Sequence, residues 1–171
     1  MNEQSQGGAP PRLDFFQLQN IYNPAFDVSK IPNEQKEEFK KHAMVTTFDT
    51  AAAVILHFVT LGIFTFIFFG LKHTKLPRIK SDDFSGGKAI GFLFIPFFNF
   101  YWVFVFWGRL VDRINFQFKL RNQPGPISKG LVITAVSIGI IPYLGIISWL
   151  FIYPIAVAQI QSACNKLAMG L

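Results

Sequence analysis

Three observations predict that this chain is all-α: a small integral membrane helical domain of three broken, hairpin-like or kinked, apolar units behind an N-terminal polar tail. First, residues 89–108 form a run of twenty residues without a charge, and ten of them are Phe, Tyr or Trp. A helix of that length covers about 30 Å, the thickness of a bilayer's hydrocarbon core. Second, two further charge-free runs occupy residues 51–71 and 130–165. Third, only 15% of the 171 residues are charged, whereas soluble domains average about 25%.

The positions of the charged residues indicate that the basic segments of the chain lie at a lipid surface. The net charge is +6, yet residues 1–50 carry five basic against seven acidic side chains. The excess of Lys and Arg lies in residues 72–88 and 109–129, directly beside the apolar runs. There it can contact lipid phosphates. We therefore predict that the chain binds the lipid bilayer and does not bind nucleic acid.

The chain divides into an N-terminal cytoplasmic tail, residues 1–47, and a helical membrane domain, residues 48–171. Met1–Pro11 is polar and rich in Gly and Pro, which predicts disorder. A short amphipathic helix is predicted over Asn33–Thr47, with Asn33 as N-cap and with Phe39, Ala43 and Met44 on a face that suits the membrane interface. No cleavable signal peptide is visible before the first apolar run, so we expect that run to act as an internal anchor.

The sequence of the second and third apolar runs predicts where their helices end or bend. The second run continues at helical spacing into polar sequence until the loop 122–126, which contains two prolines. Trp107 falls near the end of this run, as in an interfacial aromatic belt. The third run has 36 residues and would span about 54 Å as a straight helix, so it must bend or fold back, and Pro142 is the predicted break.

An internal repeat predicts a break in each apolar run. TLGIFTFIFFGL from Thr60, FFNFYWVFVFWG from Phe97 and YLGIISWLFIYP from Tyr143 align without gaps. Gly and Asn tolerate positive φ and occupy the same place in each copy, and Pro lies upstream in two copies. The predicted structural break points are Gly62, Pro96, Asn99, Pro142 and Gly145. Chance similarity among aromatic-rich membrane segments is the alternative.

Two of these segments resemble a known family. TLGIF and YLGIISW are similar to the Leu-Gly-Ile-Tyr motif with a downstream Trp in bacterial membrane proteins of the domain of unknown function 4234 family. The resemblance covers roughly residues 48–167, and Phe64 and Ile147 stand where the motif has Tyr. It implies a small α-helical integral membrane domain and no assigned activity.

Few residues can carry chemistry. The three histidines have no metal-ligand spacing, and no catalytic, cofactor-binding or metal site is predicted. His57 lies inside the first apolar run, so it is either a functional polar group or a neutral side chain bonded to a neighbouring helix. Arg109, Asp112 and Arg113 have helical i, i+3, i+4 spacing, which indicates an ion pair just outside the bilayer or a binding site.

We expect a non-enzymatic scaffold or accessory subunit that organises partners or shapes the bilayer. The alternative is a small transporter or channel subunit acting as an oligomer, because transporters place their sites at broken helices. Small residues at i, i+4, such as Ala135 and Gly139, favour a compact bundle or a homo-oligomer or membrane protein partner. The expected location is the bacterial inner membrane with a cytoplasmic N-terminus.

Two topologies remain open. Single crossings divide the Lys and Arg residues almost evenly between the two sides, whereas hairpin-like re-entrant units place all fourteen of those from Lys36 onward on the cytoplasmic side.

Overall fold

The computed structural model describes residues 28–79 and 83–170. All regular secondary structure in these ranges is helical. This confirms the all-α class. The predicted disorder of Met1–Pro11 lies outside the described residues. Seven helices are labelled here as α1 (Asn33–Lys41), α2 (Thr50–Val59), α3 (Ile63–Lys75), α4 (Gly86–Gly91), α5 (Phe98–Leu120), α6 (Lys129–Ile140) and α7 (Leu144–Ala168). Short 3₁₀ turns occupy Val28–Lys30 and Phe92–Phe94.

Within the described ranges, α7 is the helix with the length and composition to cross a membrane, which is compatible with membrane association. The apolar helices α2 and α6 are shorter. The segment Ser148–Ile152 of α7 is a π-helix that ends just before Pro154. Proline has no N–H to donate to the carbonyl four residues earlier, so the hydrogen-bond ladder shifts at this point.

Each charge-free run breaks into two helices that are joined by a short turn and tied by one side-chain hydrogen bond. His57 Nδ1 of α2 lies 2.9 Å from Thr65 Oγ of α3. Trp102 Nε1 of α5 donates to the Ala89 carbonyl of α4 at 2.9 Å. Ser148 Oγ of α7 donates to the carbonyl of Ala135 in α6 at 2.6 Å. The turns between these helix pairs are residues 60–62, 95–97 and 141–143.

The second and third turns share one backbone geometry, which differs from the predicted one. Phe97 (φ 61°, ψ −39°) and Tyr143 (φ 65°, ψ −45°) each follow a proline. Each is bridged by a hydrogen bond from the next residue to that proline's carbonyl, at 2.7 and 2.8 Å. This is a γ-turn, a rare and strained conformation. The predicted positive φ at Asn99 and Gly145 is therefore wrong, because proline fixes its own φ and the reversal falls on the residue after it.

The first turn has a different hydrogen-bond pattern from the other two. Gly62 N–H donates to the His57 carbonyl at 2.8 Å and Leu61 N–H to the Phe58 carbonyl at 3.1 Å, which is the Schellman pattern at the end of α2. Leu61 has φ 53° and Gly62 has φ 88°. Gly62 therefore has a positive φ, and so does the preceding residue, Leu61.

The three turns lie at the same end of the bundle, because residues in or beside each of them line one cavity. We call this end the turn end. At the opposite end, the base, the start of α2 meets the end of α7, where Asn165 Nδ2 donates to the Phe48 carbonyl at 2.8 Å. The core between the ends is aromatic and aliphatic. Trp107 is 1% exposed and packs on Phe69, so its predicted place in an interfacial belt is wrong.

Helix α1 packs against the base. It ends at Lys41, six residues earlier than predicted, and Asn33 is its first residue after Pro32 rather than its cap. Phe39 is fully buried and meets the Phe116 ring edge-on at 5.7 Å, and Gln117 Nε2 donates to the Phe39 carbonyl at 3.0 Å. The apolar side of α1 therefore faces α5, and the prediction that it faces the membrane interface is wrong.

Candidate functional site at the turn end

A cavity of about 430 Å³ opens among the three turns, and we call it the turn-end cavity. Its walls are mostly apolar and come from all three helix pairs. Four side chains with polar atoms also line it: His57, Asn99, Trp149 and Tyr153. The size and lining match those of small-molecule sites in proteins.

His57 sits in the wall of this cavity with both ring nitrogens near polar partners. The residue is 2% exposed, Nδ1 faces the Thr65 hydroxyl, and Nε2 makes a long contact of 3.4 Å to the Trp149 carbonyl. The ring lies nearly parallel to that of Tyr153, with centroids 6.0 Å apart. His57 therefore ties α2 to α3 and α7, as in the interpretation of a neutral histidine bonded to a neighbouring helix.

Sequence reasoning did not select Thr65, Trp149 or Tyr153 as partners of His57. The Trp149 carbonyl belongs to the π-helical segment, and π-turns are frequent at functional sites. Pro154, five residues after Trp149 in the third run, is the sequence signal that could have indicated this irregularity.

Asn99 supplies a polar atom without a protein partner. Its Oδ1 is buried, and the described residues offer it no hydrogen bond. An unsatisfied buried acceptor is costly unless something else donates to it. With its mostly apolar lining, the turn-end cavity can hold an apolar small molecule. In the described ranges, three or more His, Cys, Asp or Glu side chains do not come together in a way that would hold a metal ion.

Large apolar side chains are exposed around the cavity mouth. The positive-φ residues other than glycine at the three turns are Leu61, Phe97 and Tyr143, and they are 76%, 86% and 88% exposed. Further exposed apolar residues at this end include Val59, Ile63, Phe94, Ile95, Phe100, Tyr101, Ile141, Ile146, Ile147 and Phe151. We call this surface the apolar cap. Soluble monomers rarely expose contiguous apolar patches beyond a few hundred Å².

The charged residues lie toward the base, and one buried pair holds that end together. Arg113 and Asp83 are in contact through two hydrogen bonds, at 2.6 and 3.0 Å, with both side chains fully buried. Arg113 also donates to the carbonyls of His73 and Phe84. This clamp joins the end of α3, the segment before α4 and the middle of α5.

The structure therefore separates three residues that the sequence placed in one ion-pair group. Arg113 points into the protein toward Asp83. Asp112 accepts from Lys129 Nζ at 2.7 and 3.0 Å, and Arg109 is half-buried beside it on α5. The expected pairing within one helix surface is wrong for Arg113, because its partner is a loop residue 30 positions earlier.

Two further titratable groups are buried near the clamp. Burial and the neighbouring Arg113 guanidinium hold the pKa of His73 well below its usual range, and burial also lowers the pKa of Lys72. Lys72 Nζ donates to the Thr46 carbonyl at 3.0 Å. These contacts hold the segment before α2 against α3.

Comparison with known proteins gives no family model, no curated protein and no solved structure that matches this chain.

Proposed function

We propose that this chain is an integral membrane protein whose three helix pairs insert their turn end into one leaflet, while the base stays on the cytoplasmic side. The observation that carries the proposal is the separation of polarity. Exposed apolar side chains surround the turns, and residues 50–71, 89–108 and 130–165 contain no Asp, Glu, Lys or Arg. The base carries the charges of the described residues. A bilayer surface is the environment that satisfies both ends at once.

The lengths of the uncharged parts of α5 and α6 support insertion into a single leaflet. Eleven residues separate the start of α5 from Arg109, and eleven uncharged residues follow Lys129 in α6. At about 1.5 Å per residue these stretches are each roughly 16 Å long, whereas one leaflet contributes about 15 Å of hydrocarbon. The short turns also need protein cover in lipid, because lipid cannot satisfy their backbone groups. Part of this requirement is met at the turns themselves, because the backbone N–H groups of Gly62, Phe98 and Leu144 donate to nearby backbone carbonyls.

Insertion of this kind supports the role of a non-enzymatic scaffold that shapes the bilayer or organises partners. Six helical segments, each about 10 Å across, occupy on the order of 500 Å² in one leaflet and none in the other. Such an area difference makes the membrane convex on the side from which the protein inserts. The base, with α1 docked on it, is then available to a homo-oligomer or a membrane protein partner.

Cysteine labelling tests the orientation. In a Cys164→Ala background, single cysteines at the exposed positions Ser85 and Gln123 should be protected from an impermeant reagent in intact cells. Both should react after permeabilisation. A reaction at either position from outside contradicts the proposal.

Fluorescence quenching tests the depth. A variant with Trp102→Phe and Trp107→Phe retains Trp149 in the wall of the turn-end cavity. Lipids brominated at the acyl-chain end should quench Trp149 more strongly than lipids brominated near the headgroup. Stronger quenching near the headgroup would place the turn end at the surface and refute insertion.

A second candidate function is a small transporter or channel subunit that acts as an oligomer. The turn-end cavity favours it, because polar groups at broken helices line substrate sites in transporters. Solute flux in proteoliposomes that depends on His57 and Asn99 would favour this function over the scaffold. The resemblance to the domain of unknown function 4234 family is likewise a proposal, and it accords with location in a bacterial inner membrane.

A further inference from the structure

We propose that the turn-end cavity binds a neutral, lipid-soluble quinone, a planar ring that carries carbonyl oxygens, and this inference rests on the insertion proposed above. The cavity has a volume of about 430 Å³, within the range of small-molecule sites. The described residues that line it include no Asp, Glu, Lys or Arg, so a charged molecule would find no counter-ion there. The occupant that fits is therefore uncharged.

The indole N–H of Trp149 is a hydrogen-bond donor that the protein leaves open at the cavity wall. Trp149 belongs to the π-helical segment, and its carbonyl already lies near His57. A Cβ placed on Gly62 would lie 3.7 Å from Trp149 Nε1 and 3.7 Å from His57 Cε1, so the missing side chain at Gly62 keeps this edge of the indole uncovered. Among the described residues, Nε1 meets no hydrogen-bond acceptor. An acceptor on the ligand would satisfy it.

Two other polar side chains of the cavity do not change this requirement. Asn99 Oδ1 is enclosed by the protein, so an occupant of the cavity does not reach it as a donor. His57 Nδ1 is paired with the Thr65 hydroxyl, and Nε2 faces the Trp149 carbonyl. A ligand that accepts one hydrogen bond, as a carbonyl oxygen does, therefore fits the cavity better than one that donates.

Aromatic side chains around the same point favour a planar ring. The His57 and Tyr153 rings are nearly parallel with centroids 6.0 Å apart, and the centroids of His57 and Trp149 are 5.7 Å apart. Three further aromatic residues line the cavity: Phe66, Phe94 and Phe100. Aromatic rings form offset or edge-on contacts with one another in addition to burying apolar area. A flat ring therefore gains contacts here that a flexible acyl chain does not.

The depth of the cavity in the proposed insertion excludes the carbonyl groups of ordinary bilayer lipids. The turn end then lies near the bilayer centre, about 15 Å from the headgroup level of its leaflet. Ester carbonyls of phospholipids and carboxylates of fatty acids are held at that headgroup level. A neutral quinone dissolves in the hydrocarbon, and the cavity mouth faces that hydrocarbon. Three exposed residues belong both to the cavity lining and to the apolar cap: Leu61, Ile63 and Phe94.

Native mass spectrometry of the full chain in mild detergent tests the inference with two probes. One is a decyl-substituted para-benzoquinone, and the other is decylbenzene, which has a similar ring and the same tail but no oxygen. The amount of each probe retained per chain is measured when both are present at equal concentration. Trp149→Phe keeps an aromatic ring in the wall and removes the N–H. Quinone retention should therefore fall about threefold to tenfold, as for the loss of one hydrogen bond, while decylbenzene retention should not change.

The matched control is Trp102→Phe, which removes the same N–H from a residue outside the turn-end cavity. Both probes should be retained by this variant as they are by the wild type. Unchanged quinone retention in Trp149→Phe, or an equal fall in the control, overturns the inference. Stronger retention of methyl laurate, an acyl ester with a carbonyl but no ring, than of the quinone overturns it as well.

A melting curve for each variant reports folding. Should Trp149→Phe unfold, Ile67→Trp narrows the cavity at a position that is 43% exposed, and it leaves the indole donor in place. Weaker quinone retention by Ile67→Trp then supports the inference, and unchanged retention overturns it.

Carbonate extraction separates this inference from the proposed function. Release of the wild type into the soluble fraction refutes membrane insertion. When the wild type and Trp149→Phe both stay in the membrane and retain the quinone equally, the quinone site is refuted and the insertion stands.

Discussion

Asp83→Asn should destabilise the protein strongly, because it leaves the Arg113 guanidinium buried without its counter-ion. Both side chains are fully buried, and Asp83 accepts from two nitrogens of Arg113 as well as from the backbone N–H groups of Ile79 and Phe84. Breaking a buried pair of this kind costs about 3–5 kcal/mol. For a protein of this size, each kcal/mol lowers the melting temperature by roughly 2–4 °C. We therefore expect a fall on the order of 10 °C in detergent.

Asp112→Asn is the matched control, since it removes the same charge from a pair at a partly exposed position. The Lys129 side chain in that pair is 47% exposed. Exposed ion pairs contribute about 0–1 kcal/mol, so the melting temperature should change by no more than a few degrees. The double variant Asp83→Leu with Arg113→Met should recover most of the lost stability, because apolar replacement of a buried pair is often neutral.

Thermal unfolding followed by circular dichroism measures these three variants. Equal melting temperatures for Asp83→Asn and Asp112→Asn would refute the reasoning, because they would mean that Arg113 does not depend on Asp83 in the folded protein. Failure of the double variant to recover would instead show that the hydrogen bonds to the backbone carry the stability.

Three further predictions concern single positions. Gly145→Ala places a Cβ 2.7 Å from a backbone carbonyl of α6 and should cost about 1–3 kcal/mol, whereas Gly91→Ala meets no atom within 4 Å and should leave the melting temperature unchanged or higher. His73 binds a proton far less readily folded than unfolded, so stability should fall as the pH drops below about 6.5. His73→Phe should flatten that dependence in melting curves. Asn165→Leu removes three hydrogen bonds to the segment around the start of α2 and should cost about 1–3 kcal/mol, and proteolysis of that segment should become faster.

The helical class and the main interruptions of the chain follow from local sequence. The apolar runs predicted helices, and α5 ends at Leu120, just before the predicted loop. Asn122 there takes φ 59°, a conformation that asparagine tolerates. Pro142 lies in the turn between α6 and α7, where the length of the third run required a break. Each of these features depends on residues within a few positions of it.

The features that the sequence did not predict depend on contacts between distant residues. Arg113 is adjacent to Asp112 in the sequence and four residues from Arg109, and nothing in that spacing shows that its ion-pair partner is a loop residue 30 positions earlier. The helix before the first run was predicted to reach Thr47. In the structure, Met44 N–H donates to the Lys75 carbonyl, and Asn165 bonds both backbone groups of Phe48, so this segment is extended along the base. The strain at Phe97 was missed because bulky residues are rarely found at positive φ.

The turns at 60–62, 95–97 and 141–143 are the only connections at the turn end in the described part of the chain, and they contain no charged residue. A chain inserted as proposed therefore never carries a charged loop through hydrocarbon. Each Lys, Arg or Asp at the bilayer centre would add about 2.5–3.5 kcal/mol to the barrier for such a transfer. Biogenesis then requires neither translocation of a polar segment nor the membrane potential, and insertion can follow synthesis from one side of the membrane. For the same reason, the base is the part of this protein that can receive signals or partners from the aqueous phase.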